Sequence, residues 1–257
     1  MKEKFEPFFR KYAGSSWYGL TRTGFTGAAE LCRKLDTDEA VMIKDRSKIS
    51  TGITGGFFVK RYNMPGFFTQ LRRRFKTSRT KIVLHGAEAL EKLGITTPAV
   101  MAVAVETRSF FNRREFLITA LLDEKDQLLN EFVKSTPPVQ AWQTVREKLI
   151  PAVARIHEAG IAHGDLNMRN CFLSAGGEAG FIDLDGTKIY RGKVPGKIRC
   201  REIARLVSGF LLVAKCFDRT AEMTDEAVED YRKLTGADIS AADIRKATEM
   251  FISRRNK

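Results

Sequence analysis

The segment HGDLNMRN, residues 163–170, constrains this chain more than any other feature. It follows an amphipathic run that ends in ARIHEAGIA, and it leads into the strand-like NCFL. A second acidic motif, FIDLDG, follows at residues 181–186. A histidine, two amides and a carboxylate on one short loop, with a carboxylate pair shortly after, indicate a site built for chemistry.

The chemistry of these residues predicts phosphoryl transfer. After the helix that ends in ARIHEAGIA, the segment His163-Gly164-Asp165 must be a loop, so Asp165 can project into a cleft. A carboxylate there can accept a hydroxyl proton or orient the hydroxyl, and the amide oxygen of Asn170 can reach a hard cation. Asp183, at the end of the strand FID, offers a second oxygen ligand for the Mg²⁺ ions that bridge nucleotide phosphates. His163 is interpreted as a residue that braces the backbone.

The order of strand and helix patterns predicts two lobes. Strands are predicted first, in AVMIKD (40–45), KISTGIT (48–54), FFVKRYN (57–63), AVMAVAVET and REFLIT. Gly55-Gly56 is the predicted hairpin turn, and a helix is predicted over residues 78–93. From LLDEKDQLLNEFV onward the pattern is mainly helical, with a long helix that opens at Ser135-Thr136-Pro137-Pro138. Sheet first and helices second predict an α+β chain with lobes at residues 1–121 and 122–257.

The two motifs resemble a known family. HGDLNMRN and IDLDG resemble the catalytic loop and the metal-binding motif of the protein-kinase-like superfamily. The pattern D-L-N-x-x-N followed by I-D-L-D is similar to that of the lipopolysaccharide kinases, the WaaP/InaA-like Kdo and heptose kinases that phosphorylate inner-core sugars. FFVKRYN resembles their lysine-bearing third strand, and REIARLVSGFL resembles their late helix. The resemblance covers roughly residues 40–213 and implies a bilobal protein-kinase-like fold, with an antiparallel-sheet N-lobe and a mainly helical C-lobe.

The resemblance also implies roles for individual residues. Lys60 would bind the α- and β-phosphates of ATP, and Asp165 would be the catalytic base. Asn170 and Asp183 would hold Mg²⁺. The function implied is that of an ATP-dependent kinase, a phosphotransferase with an alcohol group as acceptor.

Two segments depart from the family pattern. Glu88 is the candidate for the helix carboxylate that pairs with Lys60, since the usual place holds Ile82 and Val83. Pairing with Glu91 and absence of the ion pair are the alternatives. The sequence STGITGG does not match G-x-G-x-x-G. The phosphate-covering loop is therefore expected around Asp45 to Gly52, where backbone amides would contact the nucleotide.

Net positive charge is concentrated in the first half of the chain. Residues 1–122 hold 22 Lys and Arg against 11 Asp and Glu, whereas the remainder holds 22 against 20. The stretch at residues 60–81 has eight basic residues, no acidic residue, and several phenylalanines. This mixture suits an anionic lipid surface, and it equally suits a solvated basic helix whose aromatic side chains pack on the core.

The acceptor is the least determined part of the function. The stretch GTKIYRGKVPGKIRCR, residues 186–201, has six basic residues and no acidic one, which suits an anionic sugar better than a peptide. The leading hypothesis is a sugar hydroxyl of the lipopolysaccharide inner core, on Kdo or heptose. Three alternatives stay open: a small-molecule kinase of the aminoglycoside or choline type, a Bud32- or RIO-like protein kinase, and a catalytically idle nucleotide-binding scaffold.

Other sequence features limit location and class. Four scattered cysteines without a C-x-x-C pair indicate neither a zinc site nor a disulfide framework. No apolar run resembles a signal peptide or is long enough to span a bilayer. The expected location is cytoplasmic, peripheral at the inner face of the inner membrane. ATP and an anionic glycolipid or sugar are the expected partners, and no specific nucleic-acid signal is found.

Overall fold

The chain forms two compact units in the computed structural model. The structure describes residues 4–12, 14–37, 39–63, 78–109 and 112–255. Unit 1 comprises Met1–Ala87 with Pro98–Leu122, and unit 2 comprises Glu88–Thr97 with Asp123–Lys257. Most of the basic and aromatic stretch at 60–81 lies outside the described residues, because 64–77 are not among them.

Unit 1 is organised around one antiparallel sheet. Its described strands are β1 (Phe5–Tyr12), β2 (Ser15–Arg22), β3 (Val41–Arg46), β4 (Ile49–Thr54), β5 (Phe57–Tyr62), β6 (Val100–Ser109) and β7 (Asn112–Ala120). They lie in the order β1-β2-β6-β7-β5-β4-β3, and each neighbouring pair is antiparallel. The predicted strands from residue 40 onward are confirmed.

The predicted hairpin turn between β4 and β5 is also confirmed. Gly55 and Gly56 both have positive φ, +56° and +77°. A two-residue turn of this kind needs the left-handed region at both positions, and its twist matches that of the flanking strands. This turn sets the register in which Thr51 lies opposite Lys60.

The amino-terminal part of unit 1 is not predicted from the sequence. It comprises β1, β2 and the helix α1 (Ala28–Lys34). β1 is an edge strand with mostly exposed side chains, so it lacks the alternation of apolar and polar residues that marks a half-buried strand. Trp17 on β2 is completely buried and belongs to the same core cluster as Cys32 on α1.

The two faces of the sheet have different environments. Val59 on β5 belongs to the core cluster that includes Trp17 and residues of α1. Because side chains alternate along a strand, Lys60 and Tyr62 lie on a different face from Val59. The Lys60 ammonium is 5.4 Å from the centroid of the Tyr62 ring, and both residues are buried.

The helix α2 (Arg79–Lys92) follows on from this sheet. The residues before and within its first turn are fixed to β7, because the hydroxyl of Ser78 donates a hydrogen bond of 2.7 Å to Glu115. Thr80 donates a longer one of 3.5 Å to the same carboxylate. The first residues of α2 belong to unit 1, whereas its last residues, Glu88 to Lys92, belong to unit 2.

Unit 2 is mainly helical. Its further helices are α3 (Leu129–Ser135), α4 (Pro138–Thr144), α5 (Ile150–Glu158), α6 (Gly196–Ala214), α7 (Thr220–Thr235) and α8 (Ala241–Arg255). Trp142 on α4 packs on Phe210 of α6, with 4.9 Å between the ring centroids. Among the described residues, none of the helices combines the length and hydropathy that a membrane crossing requires.

The long helix predicted from residue 135 forms with one irregular turn. A π-helical turn at Val145–Leu149 joins α4 to α5, and Pro151 lies in the first turn of α5. Proline has no backbone N–H, and its ring collides with the carbonyl four residues earlier in a regular helix. A wider turn just before Pro151 relieves that collision, which explains why the helix continues through it.

Short strands in unit 2 hold the polar motifs in place. They are β8 (Gln127–Leu128), β9 (Ile161–Ala162), β10 (Cys171–Leu173), β11 (Ala179–Phe181) and β12 (Lys188–Ile189). β10 pairs with β8 and β11, and β12 pairs with β9. The segment 163–170 therefore leaves one small sheet and enters the other, which limits the conformations that it can adopt.

Candidate active site

The loop at residues 163–170 touches the FIDLDG segment backbone to backbone. Gly164 has a φ of +86°, in the region that favours glycine, and a Cβ at this position would overlap the carbonyl oxygen of Gly186. The hydroxyl of Thr187 donates to the carbonyl of His163 at 3.5 Å. The glycine in HGD is therefore required both by its own backbone angle and by the close approach of the second motif.

His163 is a neutral brace between the two motifs. Its Nε2 lies 3.0 Å from the carbonyl oxygen of Ile182, and its Nδ1 accepts from the backbone N–H of Asp165 at 3.4 Å. Burial lowers the pKa of His163, and the nearby carboxylates oppose that shift only in part. A neutral ring with its proton on Nε2 satisfies both contacts. This arrangement agrees with the structural role predicted for His163.

Glu202 on α6 anchors the start of the loop. Its carboxylate accepts hydrogen bonds from the backbone N–H of His163, at 3.1 Å, and from that of Gly164. Burial by itself raises the pKa of Glu202, but the hydrogen bond from His157 and the loop amide outweigh burial and hold that pKa below its ordinary value. A charged carboxylate beneath the loop thus fixes two successive amides.

Asp165 and Asn170 are joined directly. The amide nitrogen of Asn170 donates to the carbonyl oxygen of Asp165 at 2.9 Å and to its Oδ2 at 3.3 Å. Asn170 is buried, whereas the Asp165 side chain is 56% exposed. The predicted base is therefore held by a buried amide while more than half of its side chain remains exposed.

Asp183 follows directly from the strand pair that carries Asn170. The backbone N–H of Ile182 donates to the carbonyl oxygen of Asn170 at 2.9 Å, which extends the pairing of β10 with β11 by one step. Asp183 itself has a φ of +59°, which is uncommon for a residue other than glycine. Such conformations persist where the surrounding structure holds them, and they are found at functional sites more than elsewhere.

Arg205 contacts the predicted base from α6. Its guanidinium donates to Oδ1 of Asp165 and, at 3.3 Å, to the carbonyl oxygen of Gly164. Glu202 and Arg205 are three residues apart, so they lie on the same side of the helix. One face of α6 therefore supplies both a carboxylate for the loop backbone and a cation for the loop side chain.

The basic stretch at residues 186–201 is partly structural. Arg199 is buried and donates to the carbonyl oxygen of Val194 at 2.6 Å, to Glu158 at 2.7 Å and to the hydroxyl of Tyr231 at 3.1 Å. Lys193 also pairs with Glu158, at 2.5 Å. Two of the six basic residues thus hold the segment against α5, which leaves fewer of them for an acceptor.

The remaining predicted residues occupy separate places. Lys60 lies buried on β5 of unit 1, and Glu88 lies half-buried in the part of α2 that belongs to unit 2. The segment Asp45–Gly52, expected to cover phosphates, forms the end of β3, the turn that follows it and the start of β4. The pairing of Lys60 with Glu88 or Glu91 stays a prediction.

Glu202 and Arg205 are two site residues that the sequence pattern did not indicate. Both lie in REIARLVSGFL, whose resemblance to the family predicts only a late helix. Ile203, Leu206 and Phe210 are buried around them. A glutamate and an arginine one turn apart within such an apolar helix were the available signal, because charges in that setting need buried partners.

Comparison with known proteins identifies the family. The model of the lipopolysaccharide kinase (Kdo/WaaP) family matches residues 61–238. The chain belongs to this family. The match spans the loop at 163–170, the FIDLDG segment and α6, whereas Lys60 lies directly before its first residue.

Two relatives of this lipopolysaccharide kinase family member are informative. A solved structure of WaaP in complex with acyl carrier protein superposes with a TM-score of 0.61 at 16% identity, covering 88% of this chain and 92% of that chain. At this identity the likeness shows the fold alone. The KEOPS complex subunit Bud32 of Pyrococcus abyssi is 28% identical over 144 residues, 56% of this chain. The chain spans only about half of that relative, 54% of its length.

These comparisons confirm part of the sequence analysis. The resemblance to the lipopolysaccharide kinases is confirmed, and so is the protein-kinase-like fold with an antiparallel-sheet amino-terminal region and a helical carboxyl-terminal region. The predicted enzyme class, a phosphotransferase of the kinase type, is confirmed at the level of the family. Neither comparison distinguishes Kdo from heptose as the acceptor.

Proposed function

We propose that the protein transfers the γ-phosphate of ATP to a sugar hydroxyl of the lipopolysaccharide inner core, on a Kdo or a heptose residue. The observation that carries this proposal is the loop at residues 163–170, in which the exposed carboxylate of Asp165 is joined to the buried amide of Asn170. Membership of the lipopolysaccharide kinase family supports this class of acceptor. The loop geometry supports the roles proposed below for its side chains.

Asp165 is the proposed general base. Its carboxylate takes the proton of the acceptor hydroxyl while the hydroxyl oxygen forms a bond to the γ-phosphorus. The bond between that phosphorus and the oxygen bridging to the β-phosphate breaks, and ADP leaves with the electron pair. The hydrogen bond from Asn170 fixes Oδ2 of the base and the one from Arg205 fixes Oδ1, so the carboxylate is oriented before the acceptor binds.

Asn170 and Asp183 are the proposed Mg²⁺ ligands. Because the amide nitrogen of Asn170 donates to Asp165, its oxygen is the atom left to bind a cation. That oxygen and the Asp183 carboxylate are both hard donors, which fit Mg²⁺. When bound, Mg²⁺ neutralises charge on the nucleotide phosphates. The link from Asn170 to Ile182 keeps the two side chains on adjacent pieces of backbone.

Lys60 is the proposed contact for the α- and β-phosphates of ATP, with Glu88 as its helix carboxylate. The burial of Lys60 supports this role, because a buried ammonium loses hydration and needs anionic or aromatic neighbours. Tyr62 provides one such neighbour. Phosphate oxygens would provide another in the nucleotide complex.

A protein kinase of the Bud32 type is the second candidate function. The identity of 28% to Bud32 over 144 residues favours it, although the chain spans only about half of that relative. The two candidates differ in the acceptor, a sugar hydroxyl or a protein hydroxyl. They share the roles proposed for Asp165, Asn170 and Asp183.

One experiment separates these candidates. Purified protein is incubated with radiolabelled ATP and, side by side, with lipopolysaccharide core acceptors, aminoglycosides and generic protein substrates. We expect label on the core sugar, with a rate of phosphate transfer at least tenfold above that to the other acceptors. Label on protein alone would overturn it in favour of the second candidate.

The proposed location of the protein is the inner face of the inner membrane. The basic surplus of the first half and the stretch at residues 60–81 support electrostatic attraction to acidic lipid, which decays within a Debye length of about 8 Å at physiological salt. Replacement of Arg72, Arg73 and Arg74 by Gln should reduce sedimentation with acidic vesicles. Equal partition of wild type and variant would contradict this location and leave the kinase proposal standing.

A further inference from the structure

A pocket opens directly beside Asp165 in unit 2. Its volume is about 250 Å³. The lining residues come from the loop, from α6 and from α8: Asp165, Asn167, Arg205, Ser208, Gly209, Phe251 and Arg254. A space of this size suits one sugar ring better than a folded peptide segment, and it contains the proposed base in its wall.

The charged groups of the pocket favour an anion. Two guanidinium groups, those of Arg205 and Arg254, face one carboxylate, that of Asp165. Arg205 is bonded to that carboxylate. Arg254 is exposed, and it makes no hydrogen bond or ion pair with any residue in the described part of the chain. Arg205 therefore neutralises the carboxylate of Asp165, and the positive charge of Arg254 is available to a ligand.

Phe251 adds a flat apolar surface to the same pocket. The guanidinium carbon of Arg205 lies 5.4 Å from the centroid of the Phe251 ring. This contact limits the orientations of Arg205 before any ligand binds. The rest of the ring can pack against the C–H face of a sugar, while the guanidinium groups bind its charged substituent.

We infer that this pocket binds the acceptor sugar through an anionic substituent, a carboxylate or a phosphate, held by Arg205 and Arg254. The inference rests on the proposed function and assigns acceptor recognition to α6 and α8, whereas the sequence pointed to residues 186–201. Arg205 lines the pocket and also donates a hydrogen bond to Asp165. An anion bound by Arg205 would therefore lie next to the proposed base.

The test compares two variants of α8. Arg254→Gln removes the pocket cation that has no described partner, whereas Lys246→Gln makes the same charge change on an exposed residue of the same helix that does not line the pocket. Binding to the full chain is measured by titration calorimetry without ATP. The probes are the methyl glycoside of Kdo, its carboxyl methyl ester, a heptose phosphate and the unphosphorylated heptose.

The wild type and Lys246→Gln should bind one anionic sugar at least tenfold more tightly than its neutral counterpart, and Arg254→Gln should lose most of that preference. A preference in the Kdo pair identifies a carboxylate, and one in the heptose pair identifies a phosphate. Equal binding of charged and neutral sugars by the wild type, or full preference in Arg254→Gln, would overturn the inference. If the preference holds but no core sugar is phosphorylated, the pocket stands and the proposed function fails.

Discussion

Nε2 of His157 on α5 lies 2.9 Å from Oε2 of Glu202 on α6, and both side chains are almost completely buried. The contact extends further, because Nδ1 of His157 lies 2.9 Å from the hydroxyl of Tyr231 on α7. On its other side Glu202 holds the backbone of His163 and Gly164. Three helices are thus tied to the loop that carries the proposed base, through one buried carboxylate.

The first prediction concerns this carboxylate. Glu202→Gln replaces an acceptor oxygen with an NH₂ group, which would face backbone N–H groups that need an acceptor. The free energy of unfolding in urea should fall by about 1–3 kcal/mol, and kcat should fall because the loop loses its anchor. The matched control is Glu229→Gln, an exposed residue that pairs with Lys233, and it should change stability by about 0.5 kcal/mol or less. Equal stability of the two variants would contradict the anchoring role.

The second prediction concerns pH. Burial lowers the pKa of His163, so the folded state binds fewer protons than the unfolded state below the ordinary histidine pKa of about 6.5. Stability therefore falls as the pH drops from about 6.5 toward the folded pKa. Urea unfolding at pH 7.5 and pH 5.5 measures this loss. His163→Gln should reduce the difference between the two pH values, whereas the exposed-site control His85→Gln should retain it.

The third prediction concerns the proposed base. Asp165→Asn keeps the size of the side chain and removes its ability to accept a proton. Turnover should fall by about 10²-fold or more while the affinity for ATP is nearly unchanged, because only the proton transfer and the orientation of the hydroxyl are lost. Single-turnover assays and ATP titration on the same preparation measure the two effects. Wild-type turnover in this variant would exclude Asp165 as the base.

The fourth prediction concerns the proposed metal ligand. Asp183→Asn removes a charged oxygen donor, so it should weaken the binding of Mg²⁺ with ATP itself. Calorimetric titration of ATP at several Mg²⁺ concentrations should show a lower affinity with a reduced dependence on Mg²⁺. This pattern differs from the one expected for Asp165→Asn, which affects the chemical step. Unchanged affinity and activity would remove Asp183 from the metal site.

The fifth prediction concerns the partner of Lys60. Lys60→Met should raise the KM for ATP, because a phosphate contact is lost. Glu88→Gln should produce a smaller rise in the same direction if Glu88 orients the lysine, and Glu91→Gln is its matched comparison one helical turn later. Double variants that combine Lys60→Met with each glutamate substitution identify the partner. Substitution of the glutamate that pairs with Lys60 should raise the KM for ATP little further once the lysine is replaced. An effect of Glu91→Gln alone would transfer the role to Glu91.

Several elements were predictable because their signals are local. Gly55-Gly56 between two β-branched and aromatic runs specifies a hairpin, since only glycine adopts these backbone angles without cost. The segments HGDLNMRN and FIDLDG were recognisable because their residue types and spacing are set by the chemistry of one short loop. β1 was not predictable, because an exposed edge strand leaves little apolar alternation in its sequence.

The sequence by itself determined the loop with Asp165 and Asn170, the acidic motif with Asp183, and the division into a strand-rich half and a helical half. These depend on neighbours in the chain and on periodicity. Only the tertiary structure decided that Glu202 and Arg205 support the loop, that Arg199 is structural, and that Phe251 and Arg254 line a pocket beside the base. The physical reason is distance along the chain. A hydrogen bond between residues some 40 positions apart, or a pocket wall from the last helix, leaves no periodic signal until packing brings the groups together.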